Sequence, residues 1–183
     1  MPDINGIPYV ESTDLVSGYP SVSQSLAQEV SDQLASKLDL AGGKILQIVR
    51  ATDSTARTTT STSFTDVTGM SVTITPQKSD SALIILSTCS HALTRGADGV
   101  TRGSLRLADS SDNALSGSEN NLQGNGNATR SFQNYTTLVG YVTPATTSAV
   151  TYKLQFRIQD TGVTHTIQNA ATTGQIYAIE VSA

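Results

Sequence analysis

The side chains in this sequence that could carry acid–base or nucleophilic chemistry are two histidines, one cysteine and a scatter of carboxylates. His91 follows an apolar stretch and His165 lies in a short strand-like segment, so the pair lacks the HExxH spacing of a zinc site. One chain therefore supplies too few zinc ligands, although a threefold axis could bring His165 together from three copies. No GxSxG motif is present, which argues against a hydrolase of that class.

The remaining candidates for chemistry are weak motifs. Asp109, Asp112 and Glu119 lack the alternate acidic positions and central glycine of an EF-hand loop. The segment GNGNAT at 124–129 has the glycines of a phosphate-binding loop without the following Lys-Ser/Thr, so it indicates a turn. Cys89 lies in the run LIILSTCSHAL and is interpreted as a small buried hydrophobic residue. We therefore expect no catalytic residue, no cofactor and no metal site.

Composition predicts an ordered β protein. Of the 183 residues, 37% are apolar and 14% are charged, whereas about 25% are charged in a typical globular domain. The net charge of −4 is smaller than that of most disordered chains. An isoelectric point near 5.0 and scattered basic residues argue against nucleic-acid binding. The N-terminus does not resemble a signal peptide, and the longest wholly apolar run, 82–86, is too short for membrane insertion.

Residues 1–20 are predicted to form an extended arm. Proline and glycine recur along it, with apolar side chains such as Ile7 and Tyr9 between them. These side chains can be buried only against another chain or the chain's own helix. We therefore expect the arm to contribute to oligomer formation or attachment, with a frayed terminus as the alternative.

A short helix is predicted over 20–38. Ser21 is its expected N-cap, Gln24 completes a capping box, and glycines follow its end. An apolar stripe recurs along it every four residues, at Val22, Leu26, Val30, Leu34 and Leu38. A helix of this length is marginal alone in water. The stripe is therefore predicted to pack in a parallel bundle of copies, on a partner, or on the chain's own β domain.

From residue 44 the apolar period changes to two, which is typical of β-strands. The clearest strand has a core face and a solvent face, formed by Tyr152, Leu154, Phe156 and Ile158 against Lys153, Gln155, Arg157 and Gln159. Eight or nine such segments, separated by turns, predict a mainly β fold: a short N-terminal helix followed by a jelly-roll-like antiparallel β-sandwich. The expected domains are 1–43 and 44–183.

Four predicted strands do not alternate cleanly. They carry apolar residues on both faces and are KILQIV (44–49), ALIIL (82–86), YTTLVGYV (135–142) and QIYAIEV (175–181). A two-sheet sandwich exposes its outer faces, so these residues need a further cover. A homotrimer that turns one sheet of each copy toward the threefold axis would supply it. Central strands covered by loops are the alternative.

The segment 110–131 is rich in Gly, Asn and Ser and is predicted to be a long loop, either a contact surface or an insertion without a role. Its polar residues are the candidates for contact with a host surface, at Asn120, Asn121, Gln123, Asn125, Asn127 and Arg130.

The opening INGIPYVESTDLVSGYPSVSQSLAQEVSDQLASKL resembles N-terminal segments of tail fibres and related minor structural proteins of tailed bacteriophages. The run RATDSTARTTTSTSFTDVTGMSVTITPQKSDSALIILS and the closing GQIYAIEVSA resemble the small β knobs that end many phage fibres. Together these stretches cover a little under half of the chain. Unlike long fibres, the chain has no repeated shaft.

The resemblance implies a trimeric virion component, made in the host cytoplasm and exposed on the particle. Its N-terminus would dock on other virion proteins of the tail, neck or capsid, and its β domain would meet a host cell-surface glycan or protein. A head fibre or capsid decoration protein without host contact is the alternative. A hydrolase of host polysaccharide is the minor alternative, because the spacing of catalytic carboxylates is set only in three dimensions.

Overall fold

The computed structural model describes residues 19–38, 43–126 and 130–183. The chain divides into two compact units, the first ending at Ala41 and the second covering Gly42–Ala183. The first contains the helix α1 (Tyr19–Leu38). The strands of the second are β1 (Ile45–Asp53), β2 (Arg57–Thr59), β3 (Thr65–Ile74), β4 (Ala82–Arg95), β5 (Gly99–Asp109), β6 (Asn120–Gly126), β7 (Arg130–Val142), β8 (Val150–Ile158), β9 (Val163–Ile167) and β10 (Gly174–Val181).

Helix α1 begins at Tyr19, two residues before the predicted N-cap. Ser21 lies inside the helix, where its carbonyl oxygen accepts a hydrogen bond from the Ser25 hydroxyl at 2.9 Å. The predicted capping box is therefore wrong. Pro20 falls in the first turn, where a missing N–H costs nothing and the fixed φ suits a helix.

The larger sheet has six strands, and β4 is its longest. Along one side β4 pairs with β7 over thirteen positions. Along the other it pairs first with β10 and then with β9. Strand β1 extends the sheet beyond β10, and β2 extends it beyond β9. All these pairings are antiparallel. The long strand β4 joins the pair β1 and β10 to the pair β9 and β2.

The smaller sheet has the order β3-β8-β5-β6, again antiparallel throughout. Side chains from both sheets meet in one apolar cluster, whose fully buried members include Met70, Ile74, Leu83, Ile85, Leu105, Leu107, Leu154, Ile167 and Ile176. Burying each such side chain contributes about 1.5–3 kcal/mol. The predicted jelly-roll-like antiparallel β-sandwich, preceded in the chain by one short helix, is confirmed.

One strand lies where the sequence predicted a long loop. Strand β6 falls within 110–131 and pairs with β5, and β7 begins at Arg130, so the long-loop prediction is wrong for 120–126 and 130–131. Strand β2, at the start of a Ser/Thr-rich segment, pairs with β9. An edge strand can be held by backbone hydrogen bonds without an apolar alternation. Gly124 belongs to β6 and not to a turn, and the Phe132 ring fills the space that a side chain there would need.

Strand β8 follows its predicted alternation on the core side, where all four apolar residues are buried. The other side is not uniformly solvated, because Gln155 is 2% exposed. Its side-chain amide donates to Asp66 at 2.7 Å and to Asp112 at 2.6 Å, and its oxygen accepts from Arg106 at 2.9 Å. Strand β8 is an inner strand, so long charged neighbours cover its central glutamine.

Candidate functional site

The outer face of the six-stranded sheet carries a continuous apolar surface. The pairing register places Ile48, Ile179, Ile84 and Tyr141 in one row across β1, β10, β4 and β7. The next row is Arg50, Tyr177, Leu86 and Val139. We call the seven uncharged residues of these two rows, together with Ile45 and Val181, the apolar face. It is assembled from the four strands whose sequences fail to alternate.

Several side chains of the apolar face are open to solvent. Ile48 is 57% exposed, Val139 is 53% exposed and Tyr141 is 65% exposed. The one cation in these rows, Arg50, lies over the Tyr177 ring at 5.7 Å and leaves the surface largely uncharged. Beyond the second row, the row of Thr52, Gln175, Thr88 and Thr137 bounds the face with polar groups.

The outer face of the four-stranded sheet is of the opposite character. Lys153 Nζ lies 2.9 Å from Asp66 and 2.7 Å from Asp112. The guanidinium groups of Arg106 and Arg157 lie 3.9 Å and 4.3 Å from the centre of the Phe64 ring. Further ion pairs join Arg102 to Asp160 and Arg157 to Glu119. The outer face of the four-stranded sheet is thus charged and suited to solvent, whereas the outer face of the six-stranded sheet is largely apolar.

The helix also presents apolar side chains. Leu26 is half-buried, whereas Val30 is 50% exposed and Leu34 is 57% exposed. Of the other predicted attachment residues, Ile7 and Tyr9 lie outside the described residues, as do the side chains of Val22 and Leu38. Their role stays a prediction.

Three of the six predicted host-contact residues have side chains that the structure describes. Asn120, Asn121 and Gln123 lie on the edge strand β6. The Asn121 side-chain oxygen accepts hydrogen bonds from Ser104 at 2.5 Å and Gln159 at 2.8 Å, which tie it to its own sheet. Asn127 and the side chains of Asn125 and Arg130 lie outside the described residues. Contact with a host stays a prediction for all six.

The two histidines, 74 residues apart in the chain, are brought together across β4 and β9. His165 Nδ1 lies 3.0 Å from the Arg157 carbonyl oxygen and must donate to it, so His165 Nε2 is the acceptor for His91 Nδ1 at 2.9 Å. His91 Nε2 then accepts from the Thr136 hydroxyl at 2.8 Å. Both rings are buried. The pair is a neutral hydrogen-bonded chain inside the core, and the threefold metal site proposed for His165 is wrong because its side chain does not reach the surface.

Burial and, secondarily, repulsion from His165 lower the pKa of His91 from 6.5 to about 4. Burial also lowers the pKa of His165. Between pH 6.5 and pH 4 the unfolded chain binds protons at these histidines, whereas the folded chain does not. The free energy of unfolding therefore falls as the pH falls. We expect the free energy of unfolding to drop by about 3 kcal/mol between pH 6.5 and pH 4. Urea unfolding across this range measures it.

The control for this pH dependence is His91→Gln, which retains hydrogen-bonding atoms and cannot protonate. Its unfolding free energy should depend less steeply on pH between 6.5 and 4.5. A native protein whose stability is flat across this window would contradict the assignment of a neutral pair.

The cysteine, like the two histidines, lies inside the protein. Cys89 is buried, and burial raises the pKa of its thiol to about 12, so its predicted role as a buried hydrophobic residue is confirmed. Within residues 19–38, 43–126 and 130–183, no group of three or more His, Cys, Asp or Glu side chains could hold a metal ion. No helix in the same ranges is long and apolar enough to cross a membrane.

Sequence reasoning missed the buried carboxylate of Glu180. It accepts hydrogen bonds from Gln47 Nε2 at 2.6 Å, the Ser81 hydroxyl at 2.6 Å, and the backbone N–H groups of Gln77 at 2.8 Å and Lys78 at 3.2 Å. The signal was present in the sequence, because Glu180 falls in phase with the core residues Ile176 and Ala178 on β10. The carboxylate holds the β3–β4 connection against the last strand.

No protein-family model matches this chain, and no curated protein matches it. Among solved structures, the VP2 subviral particle of infectious bursal disease virus aligns with 75% of this chain and 37% of its own at 11% identity and a TM-score of 0.33. The CBM22-1 xylan-binding domain from Paenibacillus barcinonensis Xyn10C aligns with 77% of this chain and 97% of its own, at 14% identity and a TM-score of 0.28.

A third solved structure, the enzymatically active domain of tailspike protein 4 of bacteriophage CBA120, aligns with 73% of this chain and 19% of its own, at 11% identity and a TM-score of 0.21. The chain spans less than two fifths of the length of the two viral proteins. The likeness to viral structural proteins is weak, and it assigns no function to this chain.

Proposed function

We propose that this chain is a non-enzymatic structural protein of a tailed-phage virion, a short homotrimeric fibre that docks through residues 1–43 and presents the β-sandwich of 44–183 for host-surface attachment. The observation that carries the assembly is the contrast between the two outer faces of the sandwich. One is covered with ion pairs, and the other exposes the apolar face.

The occupant of the apolar face is proposed to be other copies of the same chain. Its two main rows cross four strands about 4.8 Å apart, and with the row of Ile45 and Val181 the face covers about 300 Å² in projection. Patches of about 300–600 Å² on a monomer are often functional. Because the apolar face carries hardly any charge, the surface that complements it is another apolar surface. An identical copy of the chain has such a surface.

About 300 Å² is less than half of the roughly 800 Å² that one partner buries in a standard interface. The proposed trimer therefore draws on the helix as well, where Val30 and Leu34 remain open for contacts with the same residues of other copies. Three copies would multiply a weak contact to the host surface through avidity.

The virion location is supported by the N-terminal phrase, which resembles the docking segments of tail fibres. A capsid decoration protein would use the apolar face in the same way. It differs only in not adhering to host cells, so incubation of the purified protein with those cells separates the two roles.

Removing residues 1–18, which leaves α1 intact, is expected to abolish docking on virions without unfolding the sandwich. The described core residues all lie between Val67 and Ala178, so thermal unfolding of the sandwich should be unchanged. Co-sedimentation of labelled protein with particles that lack this chain measures docking, with the full-length chain as control. Undiminished labelling by the truncated chain would overturn the assignment of the arm as the anchor.

A further inference from the structure

A cavity of about 380 Å³ opens at one end of the sandwich. It lies where β5 and β8 meet the turn after Asp109 and where β7 ends, and its floor is apolar, formed by Leu115, Val142 and Val150. The volume falls within the range of small-ligand sites, about 300–1,000 Å³. The sites discussed above do not include this cavity, apart from Tyr141 at its mouth.

The polar end of the cavity is formed by a cross-strand pair, Asp109 on β5 and Tyr152 on β8. Tyr152 is only 4% exposed. No hydrogen bond joins its hydroxyl to a described residue, and the hydroxyl is not one of the side-chain atoms that are closed off from solvent without a partner. It is therefore open to the solvent in the cavity. Because Tyr152 lines the cavity, its hydroxyl is available to a ligand there.

The Asp109 carboxylate is fixed in place. It accepts hydrogen bonds from the backbone N–H groups of Ser111 at 2.8 Å and Asn113 at 2.9 Å, and from the Asn113 side-chain amide at 2.9 Å. The bond from that amide is the main cause that lowers the pKa of Asp109. The carboxylate is therefore ionised at neutral pH, and its remaining lone pairs can accept hydrogen bonds from ligand hydroxyls.

The rest of the lining combines apolar and small polar groups. Ala114 and Pro144 add apolar surface. Ser110, Asn113 and Ser116 add two hydroxyls and an amide. A ligand that has one face of C–H groups and an edge of hydroxyls would satisfy both kinds of lining.

The charge of the lining restricts the ligand further. The lining residues include one carboxylate and neither lysine nor arginine. An anionic ligand such as a phosphate, a sulfated sugar or a sialic acid would face Asp109 with no cation in the lining to offset the repulsion.

We propose that this cavity binds an uncharged pyranose unit of a cell-surface glycan. As a statement about what the particle attaches to, it rests on the proposed function. Binding itself is measured on the purified protein, so its failure would leave the oligomeric state and the docking role untouched.

The test uses the intact protein and methyl glycosides of glucose, galactose, mannose and N-acetylglucosamine, with glucuronic acid and N-acetylneuraminic acid as the anionic set. Saturation-transfer NMR should detect millimolar binding of at least one neutral glycoside and of neither acid. Hydrogen–deuterium exchange should slow in 109–116 and 141–152 when that glycoside is added. Absence of binding by every neutral glycoside, or protection confined to other segments, would overturn the proposal.

Tyr152→Phe provides the variant test. It removes only an unpartnered hydroxyl, so the fold should be retained while the affinity for the bound glycoside falls about three- to tenfold. Tyr135→Phe is the matched control, because Tyr135 is 74% exposed and does not line the cavity. Equal affinities of both variants and the native protein would contradict a role for Tyr152. The exchange measurement on the native protein decides the site if Tyr152→Phe fails to fold.

Discussion

Val139→Glu is expected to convert the assembled protein into folded monomers. Val139 is half exposed on β7, so a glutamate there can stay hydrated in a single chain and costs little stability. In the proposed assembly the same carboxylate would be buried without a partner, which costs about 3–5 kcal/mol. The dissociation constant should rise by at least about a hundredfold. Sedimentation velocity reports the assembly, and circular dichroism reports the fold.

Thr73→Glu is the matched control for this substitution. Thr73 is an exposed strand residue on the outer face of the other sheet, where it hydrogen-bonds Thr151 and lies among polar neighbours. It should leave the assembly unchanged. If Val139→Glu and Thr73→Glu both sediment as the native protein does, the apolar face is not covered by copies.

Glu180→Ala is expected to produce a large loss of folding stability. It removes the acceptor for the side chains of Gln47 and Ser81 and for two backbone N–H groups, in a site that is fully buried. Unsatisfied buried donors and a lost charge-assisted network predict a loss of about 3–5 kcal/mol. Chemical denaturation measures the loss.

The milder variant Glu180→Gln keeps one acceptor oxygen and should lose less stability than Glu180→Ala. Glu119→Ala is the control, because Glu119 is a surface residue whose only described ion pair spans 3.3 Å, and surface pairs contribute little. Equal stability of Glu180→Ala and Glu119→Ala would show that the buried carboxylate does not hold the β3–β4 connection.

The same network gives Glu180 a direction of pH dependence. Burial raises the pKa of Glu180. The hydrogen bonds from Ser81, Gln47 and the two backbone groups lower that pKa by more than burial raises it, so the net pKa lies below 4.5. Its contribution to stability is present above 4.5 and is lost as the pH falls through the folded-state value. The histidine pair acts at higher pH, so the two effects occupy successive windows.

The sequence predicts the class of fold because β8 and its neighbours alternate with a period of two. It also indicates an unusual surface, since four strands carry apolar residues on both faces. What it does not supply is the register: Ile48, Ile84 and Ile179 form one row only because β1, β10 and β4 pair with each other. Such long-range pairing has no local signature.

The features that the sequence did not predict have the same physical origin. Strand β6 is an edge strand held by backbone hydrogen bonds and has no apolar period, so its residues resemble a loop. The buried pair of His91 and His165 depends on the pairing of β4 with β9, which brings together two residues 74 positions apart in the chain. The cavity at Asp109 and Tyr152 depends in turn on two strand ends meeting. In each case the tertiary arrangement decides what the local sequence leaves open.

Sedimentation equilibrium of the intact chain over a wide concentration range tests most directly whether copies cover the apolar face. We expect a mass three times that of the 19.1 kDa chain, reached through a concentration-dependent equilibrium that Val139→Glu shifts toward the single chain. A stable species of 19.1 kDa at every concentration would contradict it.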